Sequence, residues 1–203
     1  MSSERNSKRL FTAFSSVAAC LGLLLAIPAW SKEKVIFDTD MGELNDDACA
    51  LFMLAQSENV ELLGVTVCVG NTWMEEGLAY SLRHLERLGR PEVPVFRGIC
   101  EPILGLRTDR LAAEETLFGK LVYRGAYARP RPVSHRQLAE VPYGGYARHE
   151  PATGDAVDFL VATVKRYPHE VTLLMVGPTT NLAIAVRKHP EIVPLVKYPA
   201  GNK

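Results

Sequence analysis

Neither acidic nor basic residues are in excess in this sequence, which has 23 lysines and arginines against 23 aspartates and glutamates. Nucleic-acid-binding domains commonly carry a basic excess, and disordered chains commonly carry strong net charge, so the composition favours neither class. No two cysteines or histidines have the spacing of zinc ligands, and there is no internal repeat or low-complexity segment. Because 47% of the residues are hydrophobic, we expect a globular domain with a packed core.

The first 31 residues differ from the rest of the chain. A basic start is followed by a long apolar run and then by two small residues, Ala29 and Ser31, at the spacing of a cleavage site. This is the layout of a secretory signal peptide. We therefore expect residues 1–31 to direct export to a periplasmic or secreted location and residues 32–203 to form the domain. The alternative is an uncleaved anchor, the one case in which we expect membrane association.

Three cysteines would remain after removal of that segment, namely Cys49, Cys68 and Cys100. An odd number cannot form a complete set of disulfides. Each lies in or beside an apolar segment, so we expect all three to be small buried hydrophobic residues.

The remaining sequence alternates predicted strands with predicted helices, except in residues 100–150, where the signal is weak. The predicted strands are Lys34–Phe37, Val60–Val69, Val93–Phe96 and Val171–Val176. The predicted helices are Asp46–Gln56, Met74–Leu88, Leu111–Leu121, a helix with an apolar stripe from Val157 to Val164, and Thr179–Lys188. The alternation predicts an α/β fold, with a mostly parallel, Rossmann-like open sheet and flanking helices. In such sheets, ligands bind beyond the carboxyl ends of the strands.

Four aspartates and one glutamate crowd into ten residues after the first predicted strand, from Asp38 to Asp47. The amides at a helix start would stabilise Asp46 and Asp47, but they do not account for Asp38 and Asp40. A hard divalent cation would, because Ca²⁺ binds carboxylate and carbonyl oxygens. Gly42 would then let the chain turn tightly around the ion.

Four motifs, taken in order and spacing, resemble the inosine–uridine-preferring nucleoside hydrolase family over about residues 34–195. They are Asp38-Thr39-Asp40-Met41-Gly42 with Asp46-Asp47-Ala48, Gly64-Val65-Thr66 through Gly70-Asn71-Thr72, Pro94-Val95-Phe96-Arg97-Gly98 through Pro102, and Val171-Thr172-Leu173 through Gly177-Pro178-Thr179-Thr180-Asn181-Leu182-Ala183. The departures from the family pattern lie inside the acidic loop, at Glu43, Leu44 and Asn45.

The resemblance implies hydrolysis of the N-glycosidic bond of ribonucleosides to base and ribose, with Ca²⁺ as the cofactor. By position, Asp40 and Asp47 would be carboxylate ligands of the ion and Thr180 would offer its main-chain oxygen. Asp40 would also be the general base for the attacking water. Asp46 and Asn71 would bind ribose hydroxyls, in the manner of sugar contacts in glycosidases.

The resemblance assigns neighbouring residues to structural roles. We expect Asp38 to shape the loop by accepting hydrogen bonds from backbone amides, and Asn181 to cap its helix. None of the five histidines matches an acid for the leaving base, so we expect surface or structural positions for them. Association of the chain with copies of itself is also implied by the family.

Family members are much longer than this chain, so the resemblance implies that the C-terminal half of the fold is missing. A truncated, non-catalytic remnant that binds calcium or ribose is therefore an alternative to an active hydrolase. A phosphatase with Asp38 as its nucleophile is a third interpretation. The segment from Gly177 to Asn181 argues against the phosphatase.

Overall fold

The computed structural model describes residues 31–197. The predicted export segment, residues 1–31, lies outside the described residues apart from Ser31. Within the described range, no helix is long and apolar enough to cross a membrane.

The described chain alternates strands and helices, as the sequence pattern predicted. The strands are β1 Glu33–Thr39, β2 Val60–Val67, β3 Val95–Arg97 and β4 Val171–Met175. The α-helices are α1 Asp46–Gln56, α2 Met74–Arg87, α3 Thr108–Phe118, α4 Ala156–Arg166 and α5 Thr180–Lys188, and short 3₁₀ helices span Gly125–Ala128 and Pro190–Leu195. The largest difference concerns α3, which begins three residues before its predicted start, in the region without clear periodicity.

The sheet of the described chain is parallel throughout, with the strand order β3-β2-β1-β4. β1 therefore lies between β2 and β4, and the carboxyl ends of these three strands meet at one edge. This confirms the predicted parallel α/β sheet. It also places the acidic loop after β1 between the segments that follow β2 and β4.

Apolar residues cover both faces of the sheet, and β1 contributes to both layers because successive side chains of a strand point to opposite faces. Phe37 is fully buried in one layer with residues of α1 and α2, such as Leu51 and Leu78. Its neighbour Ile36 is fully buried in the other layer with residues of α4 and α5, such as Leu160. The two layers hold β1 rigidly, and β1 in turn positions the acidic loop.

Ion pairs attach the segment after α3 to the start of α2. Arg129 lies 2.6 Å from the carboxylate of Glu76, and Arg131 lies 2.7 Å from that of Glu75. The indole nitrogen of Trp73 donates a hydrogen bond of 3.0 Å to the carbonyl of Arg129. Both glutamates are buried, so these pairs hold the segment beside the carboxyl edge of the sheet.

The cysteine prediction is correct for one of the three residues. Cys68 is buried, whereas Cys100 is partly buried and Cys49 is exposed. The prediction for Cys49 is wrong because Cys49 lies on the solvent side of α1, while its neighbour Ala48 faces the core.

Candidate active site

Asp40 lies at the centre of the carboxyl edge of the sheet, with only 4% of its surface exposed. One carboxylate oxygen, Oδ2, accepts a hydrogen bond of 2.6 Å from the backbone amide of Asn71. The other oxygen, Oδ1, is buried and has no hydrogen-bond partner among residues 31–197. A buried carboxylate oxygen without a donor is costly, so this oxygen is available for a cation or a ligand donor.

Two glycines make room for the Asp40 carboxylate. A Cβ atom on Gly70 would collide with Oδ2 of Asp40 and lie 2.8 Å from its Cγ. A Cβ atom on Gly177 would lie 3.0 Å from Oδ1 of Asp40. The segments after β2 and β4 can therefore approach the carboxylate closely only because both positions are glycine.

Asp47 lies next to Asp40, in the first turn of α1, and is also buried. Its Oδ2 accepts a hydrogen bond of 2.8 Å from the Thr39 hydroxyl, whose oxygen accepts one of 3.0 Å from the Met41 amide. Asn45 caps α1, with its side-chain oxygen 3.1 Å from the amide of Ala48. The cap fixes the helix start, and the helix start fixes the position of Asp47.

Asp38 and Asn181 form a buried polar link beneath Asp40, and both are fully buried. Oδ2 of Asp38 accepts hydrogen bonds from the Thr66 hydroxyl at 2.6 Å and from the Asn181 amide nitrogen at 2.7 Å. The Asn181 oxygen accepts a hydrogen bond of 2.8 Å from the amide of Ile99.

Two sequence predictions are therefore wrong in detail. Asp38 accepts hydrogen bonds from side chains and not from backbone amides, because it points from β1 toward β2 and α5. Asn181 does not cap α5; the cap residue is Thr179, without a side-chain bond, and Asn181 lies inside the helix. The Asn181 side chain instead connects the ends of β1 and β3.

Gly42 does not have the role that the sequence suggested. Its φ angle is outside the left-handed range, and an added Cβ atom would meet no atom closer than 3.8 Å. The tight positions around the acidic residues are Gly70 and Gly177.

The predicted sugar contacts, Asp46 and Asn71, lie on the solvent side of these buried residues. Asp46 is exposed in the first turn of α1, and Asn71 is half-buried. The Asn71 side-chain oxygen accepts a hydrogen bond from the Tyr123 hydroxyl. Tyr123 comes from the irregular segment after α3, so no periodic signal in the sequence could have placed it here.

Thr180 is buried at the first residue of α5. Its amide donates a hydrogen bond of 2.7 Å to the carbonyl of Pro178. In the described part of the chain, no hydrogen bond joins Thr180 to Asp40 or Asp47. The structure thus brings Asp40 and Asp47 together and places Thr180 at the start of α5, the helix that follows the neighbouring strand β4.

Burial dominates the electrostatics of the cluster. Desolvation raises the pKa of Asp38 to about 6, against the opposing effect of its hydrogen bonds from Thr66 and Asn181. Desolvation, together with the neighbouring Asp47, raises the pKa of Asp40 to about 6, against the opposing effect of the hydrogen bond from the Asn71 amide. Burial and the charges of Asp40, Asp46 and Asp47 raise the pKa of Tyr123. The site is thus a region of uncompensated negative charge.

A cavity of about 210 Å³ adjoins the acidic residues. Its wall includes Gly70 and Pro178 from the strand ends, and Tyr123 and Tyr127 from the irregular segment. Arg107 and Arg124 also line it. Apolar walls with a few polar groups are typical of small-molecule sites.

The acidic residues at this edge could supply part of the ligand shell of a hard cation, which prefers oxygen ligands. Asp40 supplies a buried carboxylate oxygen without a partner, and the adjacent Asp47 carboxylate has one oxygen engaged by Thr39. Ca²⁺ takes roughly six to eight oxygen ligands, which exceeds what two carboxylates provide. In residues 31–197, no group of three or more His, Cys, Asp or Glu side chains could hold a metal ion. Backbone oxygens and water would have to complete the shell.

Comparison with known proteins identifies the family. The profile named Inosine-uridine preferring nucleoside hydrolase matches residues 35–198, and the chain belongs to this family. Probable uridine nucleosidase 1 of Oryza sativa subsp. japonica is 31% identical over 169 residues, which are 82% of this chain and 45% of the rice protein. Uridine nucleosidase 1 of Arabidopsis thaliana is 34% identical over 165 residues, covering 81% of this chain and 43% of the plant protein.

A solved structure supports the same assignment. The purine-preferring ribonucleoside hydrolase from Gardnerella vaginalis superposes with a TM-score of 0.58 at 28% identity, over 80% of this chain and 46% of that chain. The chain therefore spans about half the length of the relatives that it matches. Its parallel sheet with flanking helices is the fold of nucleoside hydrolases.

Substitution of Gly70 tests whether the Asp40 carboxylate must stay in place. We expect Gly70→Ala to displace this carboxylate and to abolish the rise in melting temperature on addition of CaCl₂, measured by thermal unfolding. Gly42→Ala, in the same acidic loop but with an added Cβ atom no closer than 3.8 Å to other atoms, is the matched control and should keep the calcium response. An unchanged calcium response in Gly70→Ala would contradict the assignment of Asp40 as a ligand.

The raised pKa values predict how stability depends on pH in the presence of a chelator. Folding raises the pKa of Asp38 from 3.8 to about 6, so the folded chain binds more protons than the unfolded chain between these values. The contribution of Asp38 to the free energy of unfolding should therefore fall as the pH rises from about 4 to about 6, by roughly 1.4 kcal/mol per unit of pKa shift at most.

Urea unfolding at several pH values checks this prediction. His84, whose pKa is lowered by burial, acts in the opposite direction, and so do ion-paired glutamates such as Glu191, whose pKa is lowered by hydrogen bonding to Lys165. We therefore compare the wild type with Asp38→Asn, in which the contribution of Asp38 is removed and that of His84 is kept. Parallel curves for the two proteins between pH 4 and pH 6 would show that Asp38 is not protonated on folding.

Proposed function

We propose that this chain hydrolyses the N-glycosidic bond of ribonucleosides to base and ribose, with Ca²⁺ as its cofactor. The observation that carries the proposal is the buried Asp40 carboxylate, which has an unpartnered oxygen and lies beside Asp47 at the carboxyl edge of the sheet. Membership of the nucleoside hydrolase family supports the reaction class. The names of similar proteins include uridine nucleosidases and a purine-preferring hydrolase, so they favour no single base.

Asp40, Asp47 and the main-chain oxygen of Thr180 are the residues that would hold the ion. When bound, Ca²⁺ would supply positive charge that orients the attacking water and lowers its pKa. The same charge would stabilise the two crowded carboxylates in their ionised form.

Asp40 is the general base in this proposal. Without an ion its pKa is raised to about 6 by burial, which leaves it mostly ionised at neutral pH, and a bound cation would favour the ionised form further. The two flanking glycines and the Asn71 amide hold the carboxylate in one position, so that it can accept the proton from water.

Asp46 and Asn71 would bind the ribose hydroxyls. Asp46 is exposed at the start of α1, and its charge would stabilise the positive charge that builds on the sugar ring as the bond to the base breaks. The Asn71 side chain accepts a hydrogen bond from Tyr123, which lines the cavity. We also propose that residues 1–31 export the protein to a periplasmic or secreted location.

A reducing-sugar assay tests the proposed reaction. The purified chain without residues 1–31 is incubated with inosine, uridine or p-nitrophenyl riboside, in CaCl₂ and in a parallel sample with chelator. We expect release of ribose that depends on calcium. Absence of release from a folded, soluble protein would overturn the proposed hydrolysis.

A non-catalytic calcium- or ribose-binding protein is the second candidate function. One observation favours it: the described residues offer only part of a calcium shell. Calorimetry with CaCl₂ and ribose distinguishes the two functions, because this candidate predicts binding without turnover.

A further inference from the structure

A second charged cavity lies away from the acidic residues, between the C-terminal half of α2 and the segment before α4. Its volume is about 550 Å³, and its wall is formed by Arg83, Glu86, Arg87, Pro91, Arg148 and His149. Three guanidinium groups face one carboxylate, which leaves two positive charges. The size falls within the range of roughly 300–1,000 Å³ that is common for small-molecule sites.

The charges in this cavity are unevenly paired. Arg83 is neutralised by Glu86 at 2.7 Å and also donates a hydrogen bond of 2.6 Å to the carbonyl of Gly144. Arg148 contacts the same glutamate only at 3.8 Å, and its side chain is 96% exposed. Arg87 lies over the ring of Tyr143 at 4.9 Å and has no carboxylate partner within the described residues.

Two guanidinium groups converge although they repel each other. A Cβ atom on Gly144 would lie 2.6 Å from Nη2 of Arg83 and 2.9 Å from Nη1 of Arg87. The glycine thus permits both groups to approach the same point of the backbone. Burial lowers the pKa of the neighbouring His84, and the charges of Arg87 and Arg83 add to this effect while Glu43 opposes it.

His149 also lines this cavity. Both of its ring nitrogens are buried, and neither has a hydrogen-bond partner among the described residues. A buried ring without partners is uncommon, since buried polar atoms are usually hydrogen-bonded. One nitrogen of a neutral imidazole carries a proton, and rotation of the ring toward the cavity would let that nitrogen donate to an acceptor oxygen of a ligand.

We propose that this cavity binds a phosphate monoester, with Arg87, Arg148 and His149 contacting the phosphate group. A guanidinium presents parallel donors that match two phosphate oxygens, and the two uncompensated charges match a dianion. The cavity leaves room for the organic part of the molecule next to the phosphate. This inference does not depend on the proposed hydrolysis.

Calorimetric titration of the chain with glucose 6-phosphate, inorganic phosphate and glucose tests the site. We expect saturable binding of glucose 6-phosphate, weaker binding of inorganic phosphate and no binding of glucose. Arg87→Gln and Arg148→Gln should each weaken binding about tenfold, because each removes a charged hydrogen bond. His149→Phe keeps the ring shape, removes both nitrogens and should also weaken it.

Arg110→Gln is the matched control, since it removes one positive charge from an exposed position on α3. It should leave the affinity unchanged. Equal weakening by Arg110→Gln would show diffuse attraction and overturn the site, as would a lack of saturable binding by the wild type. Inorganic phosphate binding as tightly as glucose 6-phosphate would overturn the assignment to a monoester.

Discussion

Asp40→Asn is expected to lower calcium-dependent ribose release by roughly a thousandfold or more, because it removes both a ligand charge and the general base. The same variant should lose the calcium-induced rise in melting temperature. In chelator at pH 7 it should be more stable than the wild type, on the order of 1–3 kcal/mol, because a buried charge with a raised pKa is gone. Ribose assays and thermal unfolding measure the three effects.

Glu58→Gln is the matched control for this substitution. Glu58 is exposed, so the loss of one negative charge there should change neither turnover nor the calcium response. Turnover retained in Asp40→Asn would exclude Asp40 as the base. An unaltered calcium response would exclude it as a ligand, even if the wild type released no ribose.

Asn181→Ala is expected to destabilise the fold by about 3 kcal/mol, because buried groups left without a partner cost roughly 1–3 kcal/mol each. The substitution leaves the Ile99 amide without its acceptor and removes a donor from Asp38. It also opens a gap at Gly98, where an added Cβ atom would lie 2.5 Å from both polar atoms of the Asn181 side chain. Urea unfolding measures the change.

Asn59→Ala provides the comparison, since Asn59 is exposed and its side chain makes no recorded hydrogen bond in the described structure. We expect that change to cost less than about 0.5 kcal/mol. A cost for Asn181→Ala as small as that of Asn59→Ala would mean that the link between β1, β3 and α5 does not stabilise the sheet.

The strands and most helices could be predicted because their apolar residues are periodic. The α1 boundaries, Asp46 and Gln56, were predicted correctly, since the apolar stripe and the acidic start coincide there. Residues 100–150 have no such period, and the position of Tyr123 beside Asn71 depends on ion pairs with distant glutamates. Contacts between residues that are far apart in the sequence produce no periodic pattern in the local sequence.

The positions of some site residues could likewise be predicted from the sequence, whereas the roles of others could not. The proximity of Asp40 and Asp47 follows from their spacing across a strand end and a helix start. The role of Asn181 does not, because an asparagine near a helix start commonly caps the helix. Its side chain instead forms hydrogen bonds with Asp38 and Ile99, which lie close together only because of the order of the strands in the sheet. The importance of Gly70 and Gly177 likewise appears only when three segments meet.

Because Cys68 is buried, its reactivity can report how often the carboxyl edge of the sheet opens. Its thiol contacts the carbonyls of Thr39 and Pro178, at 3.6 and 3.3 Å, and burial together with Asp38 and Asp40 raises its pKa. Alkylating reagents can therefore reach Cys68 only when the strand ends separate, whereas Cys49 is exposed throughout. The alkylation rate of Cys68 thus counts local opening events, with Cys49 as the internal reference for reagent reactivity.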